Sequence, residues 1–116
     1  MSHKLYVIFI LLFLSARVHS ECSANGCDID QSDPIKRIYL TSLSDGQVYI
    51  DAPSGKESLD CTLAEGKFLV LKSTHPLFKE TYSTILAAVM ANKKMYIRIR
   101  NGSSKCEIAY VQLYLQ

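Results

Sequence analysis

Residues 75–115, HPLFKETYSTILAAVMANKKMYIRIRNGSSKCEIAYVQLYL, change hydrophobic period once, from helical to alternating. Phe78, Tyr82, Ile85, Leu86 and Val89 fall on one stripe at helical spacing, so the front of the stretch predicts an amphipathic helix. Thr74 or His75 is placed to cap it, Pro76 suits a first turn where its missing N–H costs nothing, and Glu80 lies near the positive end of the dipole. Asn92, with Lys93 and Lys94, marks the other end. From Met95 onward the period is two: Met95, Ile97 and Ile99 alternate with Tyr96, Arg98 and Arg100. After the turn Asn101-Gly102-Ser103-Ser104, Ala109, Val111 and Leu113 alternate with Tyr110, Gln112 and Tyr114. These are two half-buried strands joined as a hairpin.

Upstream the same reasoning gives three strands. Ile38 and Leu40 face one way, with Arg37, Tyr39 and Thr41 opposite. Ser44-Asp45-Gly46 signals a turn, and Val48 and Ile50 then alternate with Tyr49. Residues 52–60, rich in Pro, Ser and Gly, read as a loop. A third strand is expected to open at residues 61–63, break at Glu65-Gly66 and resume through Phe68–Leu71, whose continuous apolar run suggests burial on both faces. The fold class is therefore mainly β, in the order β-β-β-α-β-β. A helix between strands three and four is the order of an OB-fold, a five-stranded barrel. An open sheet with the helix packed across one face is the alternative.

Three segments are expected: a signal peptide at 1–20, a polar N-terminal arm at 21–34 and the OB-like domain at 35–116. Lys4 supplies a positive start, residues 5–14 (LYVIFILLFL) are uninterruptedly apolar, and Val18 and Ser20 precede Glu21 at cleavage spacing. The apolar run is half the roughly 20 residues a membrane span requires, so no membrane span is expected and the protein reads as secreted or periplasmic. Glu21 ahead of Cys22 is too large and charged for a lipid-attachment signal. Asp28, Asp30 and Asp33 in the arm lack the glycine and distal glutamate of a calcium loop, so the arm reads as solvated. All four cysteines follow the leader, and an even count in a small exported domain reads as two disulfides. Cys22 with Cys27 and Cys61 with Cys106 is the favoured pairing, since Ser-Ala-Asn-Gly between the first two is a flexible turn.

Charge and chemistry narrow the function. Lys4 and Arg17 belong to the leader, so of thirteen basic side chains eleven remain, against eleven acidic ones. A neutral domain has no net field to draw it onto nucleic acid. His75 is the one histidine left after the leader, and beside Pro76 it reads as a helix-capping or surface residue and not as a catalytic base. No metal-ligand spacing, phosphate-binding glycine pattern or cofactor motif is present, so neither enzyme activity nor a cofactor is expected. Binding is the more natural use. Strand parity turns Tyr39, Tyr49, Tyr96, Tyr110 and Tyr114 outward together with Arg98 and Arg100, and tyrosine with arginine suits protein contacts or sugar stacking. Asn101-Gly102-Ser103 is also an N-glycosylation sequon, which matters only in a eukaryotic source.

The run HPLFKETYSTILAAVMA, the alternating MYIRI and the segment NGSSKCEIAYVQL resemble small uncharacterised secreted proteins of Gram-negative bacteria. Tyr82-Ser83-Thr84 and the Ile97–Arg98–Ile99 strand are more distantly similar to OB-fold B subunits of AB-type toxins, the subtilase-cytotoxin B subunit nearest. That resemblance covers under half the chain. It implies an exported, disulfide-bonded barrel, ring assembly and binding of host glycans, and carries no contact residue onto this sequence. The function expected is thus a non-enzymatic domain that binds a protein or glycan partner, alone or as a homo-oligomer. A monomeric inhibitor-like protein and an unrecognised small enzyme are the alternatives.

Overall fold

The structure, a computed structural model, describes residues 21–43 and 47–115. The leader and the Ser44-Asp45-Gly46 turn lie outside the described residues. In chain order the elements are β1 (Glu21–Cys22), β2 (Gly26–Ile29), β3 (Ile38–Thr41), β4 (Gln47–Asp51), a 3-10 turn at Lys56–Ser58, β5 (Phe68–Leu71), α1 (Phe78–Met90), β6 (Met95–Ile99) and β7 (Ile108–Leu113). They form two antiparallel sheets, ordered β3-β4-β5 and β1-β2-β6-β7. A parallel bridge between Val70 and Glu107 links the sheets, where the Val70 N–H donates to the Cys106 carbonyl at 3.2 Å.

The alternation read from the sequence places the core. Met95, Ile97 and Ile99 of β6 turn inward and meet Val48 and Ile50 of β4, Leu69 and Leu71 of β5, Ile108 of β7, and Ile85 and Ala88 of α1. Removing each such aliphatic side chain from water contributes about 1.5–3 kcal/mol. β5 is buried along its whole length, as its unbroken apolar run suggested. Its Phe68 and Val70 enter a second, smaller cluster with Tyr49 and Ala64 on the far side of the sheet. Leu40 is paired with the fully buried Val48, but β3 is an edge strand and its side chain is 62% exposed.

The expected closed barrel does not form. The edge of β6 that a closing strand would need is taken by β2, in a register running from Gly26 opposite Arg98 to Ile29 opposite Met95. Two consecutive strands, β2 and β3, therefore sit in different sheets, connected through residues 30–37. The open alternative, with the helix against one face of the sheets, describes the molecule better. The segment 21–34 likewise differs from a solvated arm: Cys27 is 1% and Ile29 3% exposed, both in the core. The reason is covalent and local. Cys22 and Cys27 face each other across β1 and β2, and their disulfide staples a hairpin too short to announce itself by periodicity.

The third strand is shorter than expected. Residues 61–63 form no strand, because Cys61 is bonded to Cys106 and the Thr62 N–H donates to the Ser103 carbonyl at 2.9 Å. Glu65 and Gly66, with φ of 53° and 74°, reverse the chain so that Ala64 bridges back to Phe68. Both favoured disulfides are present. The helix starts at Phe78, later than the sequence suggested, and ends where expected: Asn92 has φ 53° and the Lys93 N–H donates to the Ala88 carbonyl at 2.9 Å. That is the left-handed exit in which a six-to-one bond satisfies a terminal carbonyl.

Two positions test this packing. A Cβ on Gly26 would stand 2.2 Å from the Ile97 carbonyl oxygen, a backbone atom that cannot yield. Gly26→Ala is expected to lower stability by about 2–3 kcal/mol in urea unfolding, the cost of forcing extra volume into packed structure. Asp33 is buried, accepts the Ser54 N–H at 3.0 Å and lies 3.6 Å from the Lys36 ammonium. Burial pushes its carboxyl up, but the Ser54 hydrogen bonds and the Lys36 charge outweigh that and hold it below its ordinary value. With the folded value below the unfolded one, its stabilisation is complete above the unfolded value of about 3.9 and is lost as pH falls through the folded value. Asp33→Asn is expected to cost about 1 kcal/mol at neutral pH and to flatten the acid limb of stability against pH. Parallel acid limbs for wild type and variant would remove this role from Asp33.

Candidate binding face

The outward residues singled out in the sequence divide into three places. The first is the outer face of the β1-β2-β6-β7 sheet. Register sets Asp28, Tyr96 and Gln112 in one row and Gly26, Arg98 and Tyr110 in the next. The Tyr96 and Tyr110 rings have centroids 6.5 Å apart, tilted by 48°. Gly26 is what allows this layout: a Cβ there would also meet the Tyr96 ring, at 2.7 Å from Oη and 2.8 Å from Cζ. The ring thus lies across the glycine with its other side turned outward. Tyr114 follows β7, its hydroxyl donating to Asp28 Oδ1 at 3.4 Å and the Lys94 ammonium 5.1 Å above its ring. Tyr110 is 47% and Tyr114 40% exposed.

Tyr39 and Tyr49 belong elsewhere. They stack at 4.9 Å on the outer face of β3-β4-β5, each edge-on to Phe68. Tyr49 is only 9% exposed, so as packed it is a core residue and offers little binding surface. The turn through Glu65 and Gly66 folds the chain back over this face, and the Tyr39 hydroxyl donates to Glu65 Oε2 at 3.2 Å. Burial, with that hydrogen bond to a carboxylate, pushes the Tyr39 phenol up. Arg37 completes the cover, 5.0 Å above the Phe68 ring and ion-paired to Asp51 at 3.3 Å.

Arg100 stands apart from both groups. A β-bulge between Arg98 and Ile99 shifts the register, and Arg100 lines a cleft of about 80 Å³ with Lys72, Thr74, His75, Glu107 and Ile108. Lys72 and Glu107 are ion-paired there. His75 has both ring nitrogens engaged. Nδ1 accepts the Leu77 N–H at 3.0 Å, which leaves the proton on Nε2 to donate to the Ala109 carbonyl at 2.6 Å. Neither Thr74 nor His75 is the helix cap, which falls at Leu77 with no side-chain cap bond; the ring instead holds the Leu77 N–H and ties the helix entrance to β7. With neither nitrogen free, this histidine is not arranged as a general base.

Comparison with known proteins finds no matching family model, no similar curated protein and no similar solved structure. Among the described residues no three of His, Cys, Asp and Glu gather as metal ligands, and no helix is long and apolar enough to cross a membrane. Of the seven residues expected at the site, Tyr96, Arg98, Tyr110 and Tyr114 share a face. Sequence reasoning missed Gly26, Asp28 and Lys94, which shape that face from an arm read as solvated and from a helix end. The run Cys27–Ile29 is too short to mark Asp28 by periodicity.

His75→Phe keeps the ring and removes both hydrogen bonds. It is expected to destabilise the protein by about 1–2 kcal/mol, the range for two lost hydrogen bonds, read as a lowered urea midpoint with unchanged m-value. An unaltered midpoint would mean that water replaces both bonds.

Proposed function

We propose that this chain is an exported, non-enzymatic binding domain that engages a protein or glycan partner through the outer face of the β1-β2-β6-β7 sheet. The observation that carries the reading is the grouping of Tyr96, Arg98, Tyr110 and Tyr114 on one solvent-open face, with Asp28 and Gln112 beside them. Tyrosine presents a wide apolar ring at low entropic cost together with a polar tip, and arginine adds planar hydrogen bonding. Sheet-mounted side chains are also pre-positioned, so little ordering is needed when a partner arrives. Two disulfides accord with an oxidising destination, as the leader-like segment 1–20 requires. Ring assembly and glycan recognition, the properties implied by the resemblance to toxin B subunits, are the specific forms this reading takes.

A glycan array and an affinity capture against extracellular proteins, both with the disulfide-intact domain, are expected to yield a partner. Tyr110→Ser, at an exposed position, is expected to weaken that binding about tenfold or more while leaving the unfolding midpoint unchanged. Tyr39→Phe, on the other sheet, is expected to leave binding intact. Undiminished binding by a Tyr96→Ser, Arg98→Ser, Tyr110→Ser variant would exclude this face. Size-exclusion chromatography with light scattering separates a homo-oligomer from a monomer, and a monomer at high concentration would rule out ring assembly.

A further inference from the structure

Two Asn-Gly dipeptides, Asn25-Gly26 and Asn101-Gly102, lie far apart in the chain and meet in the fold. The Asn101 side-chain amide donates to Asn25 Oδ1 at 3.1 Å, Asp60 Oδ2 at 3.2 Å and the Ala24 carbonyl at 3.4 Å. Its oxygen accepts from Arg98 Nη2 at 3.1 Å. The next backbone amide is engaged too, the Gly102 N–H donating to the Asp60 carbonyl at 2.6 Å, and the Asp60 N–H closes the circuit on the Ala24 carbonyl at 2.9 Å. One amide side chain thus clasps the loop closed by the Cys22–Cys27 disulfide to the residue preceding Cys61.

Asparagine before glycine is chemically labile, because glycine leaves the following backbone nitrogen unhindered. That nitrogen attacks the asparagine Cγ and ammonia leaves, carrying off the side-chain nitrogen. A five-membered succinimide remains, and water opens it to aspartate or isoaspartate. The attack requires a free Gly102 N–H and an Asn101 carboxamide able to swing over it. Here the first is bonded to Asp60 and the second is fixed from four sides. We propose that Asn101-Gly102 is a latent deamidation site, kept unreactive by the closed clasp and converted once the clasp opens. The conversion is one-way. A carboxylate at 101 has no N–H to offer and would face Asp60 Oδ2 and the Ala24 carbonyl, both acceptors, with Arg98 still complementary and Asn25 so only after turning its own amide over. Isoaspartate would further add a backbone atom next to Gly102, which already sits at φ 77°. The same Nδ2 is the acceptor atom of the Asn101-Gly102-Ser103 sequon, so in the folded chain it is already committed to structure. Reduction of Cys61–Cys106, which flanks both Asp60 and the 101–102 turn, is the natural trigger for opening.

Peptide mapping by mass spectrometry reads the amide-to-acid conversion at Asn101 over time in mildly alkaline buffer. The disulfide-intact protein and the same chain reduced and unfolded in urea are compared. Conversion in the intact protein is expected to be about a hundredfold slower, the protection that local opening imposes on a site held by several hydrogen bonds. Equal rates in the two samples would overturn the proposal. Asn101→Asp reproduces the product and Asn101→Ser removes the clasp without adding charge. The aspartate variant is expected to have the lower urea midpoint, or not to fold, whereas an aspartate variant as stable as wild type would overturn the one-way step. The rate comparison uses the unaltered chain, so it stands whether or not either variant folds.

Discussion

The backbone at Cys106 is where the two sheets become one molecule. Cys106 is fully buried with φ 43°, its sulfur is bonded to Cys61, and its carbonyl accepts the Val70 N–H of β5. One residue on, Glu107 bridges Val70 and pairs with Lys72. This joint helps hold the two walls of the shared core of Leu69, Leu71, Ile97, Ile99 and Ile108 at packing distance. A disulfide that closes a loop of 45 residues removes chain entropy from the unfolded state, worth about 4 kcal/mol in that account. Here it also fixes the point where the two sheets bridge.

How much of this was legible depends on how long each signal ran. Met95 to Ile99 and Ala109 to Leu113 each alternate over five positions, and both strands form where the period placed them, the second starting one residue earlier at Ile108. The helix stripe and its Asn92 exit were readable for the same reason, and the cysteine pairing favoured on the flexible turn between Cys22 and Cys27 is the one that forms. β2 was not legible, because Cys27 and Ile29 are two apolar residues among charges and only the disulfide makes them a strand. The barrel failed on the same point. Closure depends on which segment claims the free edge of β6, and edge competition leaves no mark in local periodicity.

At the candidate face, parity indicated which side of a sheet each tyrosine occupies and was silent on what covers that side. Tyr49 and Tyr110 are both outward by alternation. The first is roofed by the chain reversal at Glu65-Gly66 and packs on Phe68, while the second meets solvent. Long-range cover of this kind follows from the path of a loop. Arg100 was lost to the face because β6 ends at Ile99, one residue before it, while the register shift opposite Arg98 and Ile99 is taken up on β7, where Ala109 is the extra residue. What stayed together is a surface of rings and planar polar groups resting on Gly26, the one residue type that lets Tyr96 lie flat.

β1 is two residues long, and its disulfide locks it to β2 at the margin of the sheet that carries the exposed tyrosines. A margin that short presents too few unpaired N–H and C=O groups to template an incoming strand. At the opposite margin, β7 begins beside β5. The first of these margins is therefore blunted against growth by edge addition, which narrows the routes by which the tyrosine-bearing sheet could be extended.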